Sequence, residues 1–199
     1  KYWGIDMDIR DSEILVSGYH RDVFSEGSLE DETNIFLIHS ESPLSSEDWT
    51  LQTEIIKDID ADPYQIDPIS VEFGHDQAHI LYQTIRNDTT GKDRLGVWYS
   101  HGMIGQETWA YRKAVGDESA IPKLTVIEDD DGDTLVSLWR EGDPQESELV
   151  VFVTDSNFMT NGQMETRIPA RGMAGIGVVE SERGIQVLFD RVGASGPQV

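Results

Sequence analysis

The stretch Leu135-Val136-Ser137-Leu138-Trp139-Arg140 (LVSLWR) decides the fold, because its like occurs three more times in the chain. ILVSGYHR ends at Arg21, ILYQTIR at Arg86 and IQVLFDR at Arg191, each an apolar segment closed by an arginine. Such short runs, rich in β-branched and aromatic residues and bounded by turn residues, read as β-strands. Ahead of each lies another strand that ends in an acid and a polar turn: GIDMD to Asp8, ISVE to Glu72, LTVIE to Glu128 and IGVVE to Glu180. After the first three come TNIFLIHS to Ser40, RLGVWYS to Ser100 and ELVVFVT to Thr154. DWTLQTEII, TWAYRKAV and QMETRIPA then close each unit, with Met164 standing where Trp49 and Trp109 stand in the others.

The order A, B, C, D is therefore repeated, with short polar turns between strands and no amphipathic helix. An antiparallel meander of four strands is the anatomy of a propeller blade. The expected class is all-β, a β-propeller with about three and a half blades in this chain: 1–57, 66–116, 121–171 and a half blade at 173–192. A two-sheet jelly roll or β-sandwich is the competing architecture, since it also holds this many short strands. Three and a half units do not close a ring of four to eight blades. The expectation is a processed or excised piece, completed by another chain or a missing segment.

Two turns carry a family resemblance. SHGMIGQETW (Ser100 to Trp109) and SESPLSSEDW (Ser40 to Trp49) resemble the Asp-box turns of sialidase-like (BNR-type) propellers, Ser-x-Asp-x-Gly-x-x-Trp between strands C and D. Both have two extra residues, and Gly102 and Ser42 replace the Asp. Arg167-Ile168-Pro169 is similar to the Arg-Ile-Pro of sialidases, although it lies in a D strand. The resemblance implies the propeller fold. It also implies that arginines on one face of such enzymes bind a sugar carboxylate.

Charge and composition exclude several roles. The 199 residues carry a formal charge of -23, with 38 acids against 15 basic residues, which repels nucleic acid and anionic membranes. No apolar run is long enough for a transmembrane helix, so neither nucleic acid nor membrane insertion is expected. Dispersed acids with few lysines fit a halophilic or marine source, or a surface kept soluble by its charge. There is no cysteine, hence no disulfide or thiolate chemistry. The sequon Asn87-Asp88-Thr89 fits a surface loop, and the expected location is extracellular or cell-surface.

In a meander the B–C and D–A turns share one face, and the A–B and C–D turns share the other. Arg21, Arg86, Arg140 and Arg191 would gather on the first face, either as bidentate donors to an anionic ligand or as partners of blade acids. Asp8, Glu72, Glu128 and Glu180 fall near the A–B turns. There they read as solvated turn residues or, at a suitable separation, as a glycosidase acid and base. Asp58, Asp60, Asp62 and Asp67 in one D–A loop form the candidate calcium ligands, and calcium is the one cofactor considered. The run Glu128 to Asp133 also admits a calcium reading, but its Asp131-Gly132 step accounts for it as hairpin chemistry. His20, His39, His75, His79 and His101 look dispersed, and Trp3 or Trp139 could stack on a sugar.

The leading expectation is a non-catalytic binding or surface-assembly module that recognises a glycan or protein through the B–C/D–A face. The alternatives are a sialidase-like glycoside hydrolase and a structural component of a larger extracellular assembly.

Overall fold

A computed structural model of the chain describes residues 2–21, 33–42, 45, 47–57, 68–75, 77–87, 93–107, 109, 111–117, 119–129, 132–143, 145–155, 164–181, 184–193 and 196–198. Among these, residues 3, 21, 85–87, 93–95, 111–114, 116, 117, 129 and 191–198 are described by their backbone alone.

The described elements are strands without a helix. The first sheet contains β1 (Tyr2–Arg10), β2 (Glu13–Arg21), β3 (Thr33–Ser40) and β4 (Trp49–Ile56). The second contains β5 (Ile69–Phe73), β6 (Ala78–Asn87), β7 (Asp93–Gly102) and β8 (Tyr111–Asp117). The third contains β9 (Ser119–Asp129), β10 (Gly132–Glu141), β11 (Glu148–Asp155) and β12 (Met164–Pro169). A two-stranded fourth sheet, β13 (Ile176–Ser181) and β14 (Gly184–Phe189), is followed by a small hairpin, β15 (Arg191–Gly193) and β16 (Gly196–Gln198).

Each four-stranded sheet is a sequential antiparallel meander, so none of the described sheets alternates strands with another as the sheets of a jelly roll do. The first strands pack in the order β1, β5, β9, β13. These are the innermost strands of propeller blades arranged around an axis. The class is an all-β propeller. Its described sheets do not close a ring, and the first sheet turns one face to solvent.

Apolar seams join successive blades. Leu15, Tyr19, Ile35 and Leu37 of the first sheet meet Val71, Phe73, Ile80 and Tyr82 of the second. Leu81, Val97 and Tyr99 meet Leu124, Val126, Leu135 and Trp139 of the third. Val136, Leu138 and Leu149 then meet Ile176, Val178 and Val187 of the fourth. Burying such side chains supplies about 1.5–3 kcal/mol apiece and is the main force joining the blades. The tight β1–β2 turn needs a left-handed residue, and Asp11 takes that conformation at φ 53°.

Two repeat equivalences change in three dimensions. Arg191 does not end a B strand: β14 stops at Phe189, and Arg191 opens β15. The break lies at Asp190, whose Oδ1 accepts hydrogen bonds from the N–H groups of Ala174 (2.9 Å) and Gly175 (2.7 Å). Nor does the shared ten-residue spacing place Trp49 and Trp109 alike. Trp49 pairs with Ser40 in β4 and is exposed, whereas Trp109 precedes β8 and is buried in the first seam. The Trp109 N–H donates to the Ile55 carbonyl at 2.9 Å, and its indole closes over Gly102.

Candidate functional site at the axial end of the inner strands

The carboxyl ends of the four inner strands surround an open cavity of about 330 Å³, lined by Asp8, Ile9, Arg10, Glu72, Phe73, Val126, Ile127, Glu128 and Glu180. All four acids that end the A strands are there. The cavity therefore lies at the A–B end of the axis, opposite the B–C/D–A face favoured by the sequence reading. Antiparallel reversal puts the A-strand ends at that end, and the radial order of the blades brings them together.

Local backbone chemistry sets the acids in place. β5 presents edge N–H groups toward β1, and aspartates of β1 answer them. Asp6 Oδ2 accepts from Val71 N–H (3.3 Å), and Asp8 Oδ2 accepts from Phe73 N–H (2.8 Å). One blade further on, Ser70 Oγ accepts from Leu124 N–H of β9 at 3.1 Å. Glu72 stands between the two residues that Asp6 and Asp8 hold, and none of the described residues donates a hydrogen bond to its carboxyl. Burial, followed by the negative charges of Asp8 and Asp6, pushes the Glu72 carboxyl up to about 9. Lys123 opposes that shift and Glu180 adds to it. At neutral pH Glu72 is an uncharged carboxylic acid that can donate a hydrogen bond.

The cations near the cavity are engaged. Arg10 Nη1 donates to the Gly74 carbonyl (2.7 Å) and to Glu128 Oε1 (2.5 Å), while its Nη2 lies 3.5 Å from Glu13. The Arg10 guanidinium also covers the Phe73 ring at 4.6 Å. Lys123 Nζ lies 3.6 Å from Asp6.

A second polar cluster lies beside this wall, between the second and third blades. His79 Nε2 is 3.1 Å from Asp133 Oδ2, and His79 Nδ1 is 2.7 Å from the Tyr99 hydroxyl, all three side chains being buried. The His79 hydrogen bond holds the Asp133 carboxyl below its ordinary range, against the effect of burial, with further help from the His75 N–H. The histidines are thus not all dispersed. His79 and His101 are cross-strand partners on β6 and β7, with ring centroids 6.0 Å apart. Burial, then His79, lowers the His101 imidazole.

Of the sequence candidates on the other face, the side chains of Arg21, Arg86 and Arg191 lie outside the described residues. So do Asp58, Asp60, Asp62 and Asp67. Arg140 Nη1 donates to the Met173 carbonyl at 3.0 Å, tying β10 to the connection that enters the fourth sheet. Burial lowers the Arg140 guanidinium, and Asp143 opposes that shift. Trp139 is no sugar platform: it is buried in the second seam, with its Nε1–H donating to Glu141 at 3.2 Å. The Trp3 side chain is outside the described residues. Among the described residues there is no group of three or more His, Asp or Glu arranged to hold a metal ion.

Neither a protein-family model nor a curated protein sequence matches the chain. Among solved structures it is similar to an α-L-arabinofuranosidase from Lactobacillus brevis, with a TM-score of 0.52 and 9% identity. That match covers 98% of this chain and 74% of the other. At that identity the likeness concerns the fold, which agrees with the propeller built up from the sheets.

Proposed function

We propose that the chain binds a neutral glycan in the axial cavity at the A–B end of its inner strands. The observation that carries this reading is the Glu72 carboxyl, lining an open cavity without a donor of its own and protonated at neutral pH. Its O–H donates to a sugar hydroxyl or ring oxygen, while the carboxyls of Asp8 and Glu180 accept from neighbouring sugar hydroxyls. The likeness to a glycoside-acting propeller supports a carbohydrate over other polyhydroxyl ligands.

A carboxylated sugar fits this cavity poorly. Arg10 already serves Gly74, Glu128 and Glu13, and the remaining charges of the lining are negative. The sialic-acid specificity implied by the sequence resemblance would need an arginine left over for the ligand.

Calorimetric titration with neutral gluco-, xylo- and arabino-oligosaccharides, and with sialyllactose, tests the reading. A neutral sugar should bind at pH 7, and Glu72→Ala should weaken it about tenfold, the value of one well-placed hydrogen bond. Absence of neutral-sugar binding at millimolar concentration, or preference for sialyllactose, would overturn it.

Glycoside hydrolysis is the second reading. It is favoured by the pairing of a protonated carboxyl with the charged Asp8 that raises its proton affinity, an acid-plus-carboxylate arrangement that glycoside cleavage uses. Chromogenic arabinofuranosides and pyranosides incubated with the same samples decide it, since release of the chromophore must vanish in Glu72→Gln.

A further inference from the structure

We propose that Asp133, His79 and Tyr99 act with Arg10 as a positioning clamp, gripping the β5–β6 turn from two neighbouring blades and so setting Glu72 in the wall of the axial cavity. The inference rests on the reading of Glu72 as the central group of the site, and it assigns roles to residues that do not touch a ligand.

The geometry is a grip on both ends of one peptide group, the one that joins Gly74 to His75. The turn follows Glu72 and Phe73 and begins at Gly74, whose N–H donates to the Gln77 carbonyl at 2.7 Å. On one side, the Gly74 carbonyl accepts from Arg10 of β1 at 2.7 Å. On the other, the His75 N–H donates to the Asp133 carboxylate of β10, at 3.0 and 3.2 Å to its two oxygens. The two arms meet in the third blade. Glu128, which orients Arg10, is the cross-strand partner of Asp133 in the β9–β10 hairpin.

Asp133 is in turn fixed from behind. A carboxylate can only accept, so His79 Nε2–H donates to it, and the Tyr99 hydroxyl holds the far ring nitrogen of His79. The His101 ring lies beside both, with Nδ1 2.7 Å from Gln77 Oε1. Gly74 is the residue this packing demands. A Cβ there would fall 2.3 Å from His79 Nε2 and 2.4 Å from Asp133 Oδ2, closer than real Cβ atoms come.

A buried carboxylate held by an imidazole costs desolvation free energy unless every partner is in place. The fully bonded network therefore favours one position of the turn, and the short β5 carries that constraint back to Glu72. The charged and titratable groups around Glu72 are Asp6, Asp8 and Arg10 from β1, Lys123 and Glu128 from β9, and Glu180 from β13. His79 lies beside it on β6 as its cross-strand partner.

The test is the titration of Glu72 in the 199-residue chain, read from its side-chain carboxyl 13C signal. In Asp133→Asn and in the charge-neutral Gly74→Ala, the midpoint should fall by about one pH unit or more, as a loosened turn admits water to the carboxyl. Tyr99→Phe should move it in the same direction by less, and it serves as the working variant if either of the others fails to fold. Ser147→Ala, which removes the hydroxyl that donates to the Ala170 carbonyl elsewhere in the third blade, should lower stability and leave the midpoint unchanged. An unshifted Glu72 midpoint in folded Gly74→Ala and Tyr99→Phe would overturn the clamp, whatever their stability. That readout involves no sugar. Failure of the glycan reading would appear in the binding titrations alone, and failure of the clamp in the carboxyl titrations alone.

Discussion

The two faces of the first sheet have opposite characters, and β1 shows the contrast within a single strand. Asp6 and Asp8 point toward the second blade, where their carboxylates accept hydrogen bonds from Val71 and Phe73. Ile5, Met7 and Ile9 alternate with them and face solvent, at 60%, 54% and 57% exposure. Polar residues face the neighbouring blade and apolar residues face water, the reverse of the usual half-buried strand. Inner strands approach one another closely around the axis, and their edge N–H groups need acceptors. The aspartates supply them. On β2 and β3 the same inward face is conventional, with Leu15, Tyr19, Ile35 and Leu37 buried and the Tyr19 hydroxyl bonded to the Gln83 carbonyl.

The sharpest way to break this contrast is to make equivalent cuts on each face. Leu15→Ala opens a cavity in the first seam and should cost about 3 kcal/mol in urea unfolding. Ile9→Lys places a charge on the open face and should change stability by no more than about 0.5 kcal/mol. A large loss for Ile9→Lys would mean that the outer face is covered in solution and that the two faces are alike.

The inward acids also carry a pH signature. Glu72 binds its proton more tightly in the folded chain than the ordinary value of 4.5 allows, so its contribution to stability is complete below that value. It declines as pH rises and is lost as pH passes through about 9. Glu72→Gln keeps the shape and cannot ionise. The variant should match the parent in unfolding free energy at pH 4 and exceed it by about 2 kcal/mol near pH 10, after discounting for the solvent that reaches the carboxyl. Parallel pH profiles for the two proteins would mean that Glu72 titrates normally and that crowding by Asp6 and Asp8 has no consequence.

The sequence makes the strands legible because alternation and turn residues are local properties. ILVSGYHR, ISVE and ELVVFVT fall within β2, β5 and β11 for that reason. The four A-strand acids were also visible, as turn residues or a candidate acid and base pair, but not as one cluster. Their convergence depends on the angle between blades, which no local pattern encodes. Asp133 was hidden in an acidic run whose Asp-Gly step accounts for itself as a turn, and only its contact with His79, 54 residues away in the chain, reveals its task. The arginine pattern misled at Arg191, because the acceptor geometry of Asp190 outweighed strand continuation. Equal spacing misled at Trp109, where the first seam captured the indole.

The smallest expected effect lies on β12 of the third sheet. Arg167 reaches three acids, Glu165 at 2.6 Å, Glu141 at 2.9 Å and Glu148 at 3.3 Å, and these raise its guanidinium further above its already high range. On geometry alone this outnumbers the bonds of half-buried Asp6, which accepts from one backbone N–H and faces Lys123 at 3.6 Å. Solvent reverses the ranking. The Arg167 side chain is 41% exposed, so water and salt screen each pair, and ordering four long side chains offsets much of the Coulomb gain. Arg167→Ala should therefore cost less than about 1 kcal/mol at low salt and close to nothing at 1 M NaCl. Asp6→Ala leaves a backbone N–H of the first seam without its acceptor, and its cost should persist at both salt concentrations. A salt-independent loss at Arg167 that equals the loss at Asp6 would remove the distinction between seam and surface on which the comparison stands.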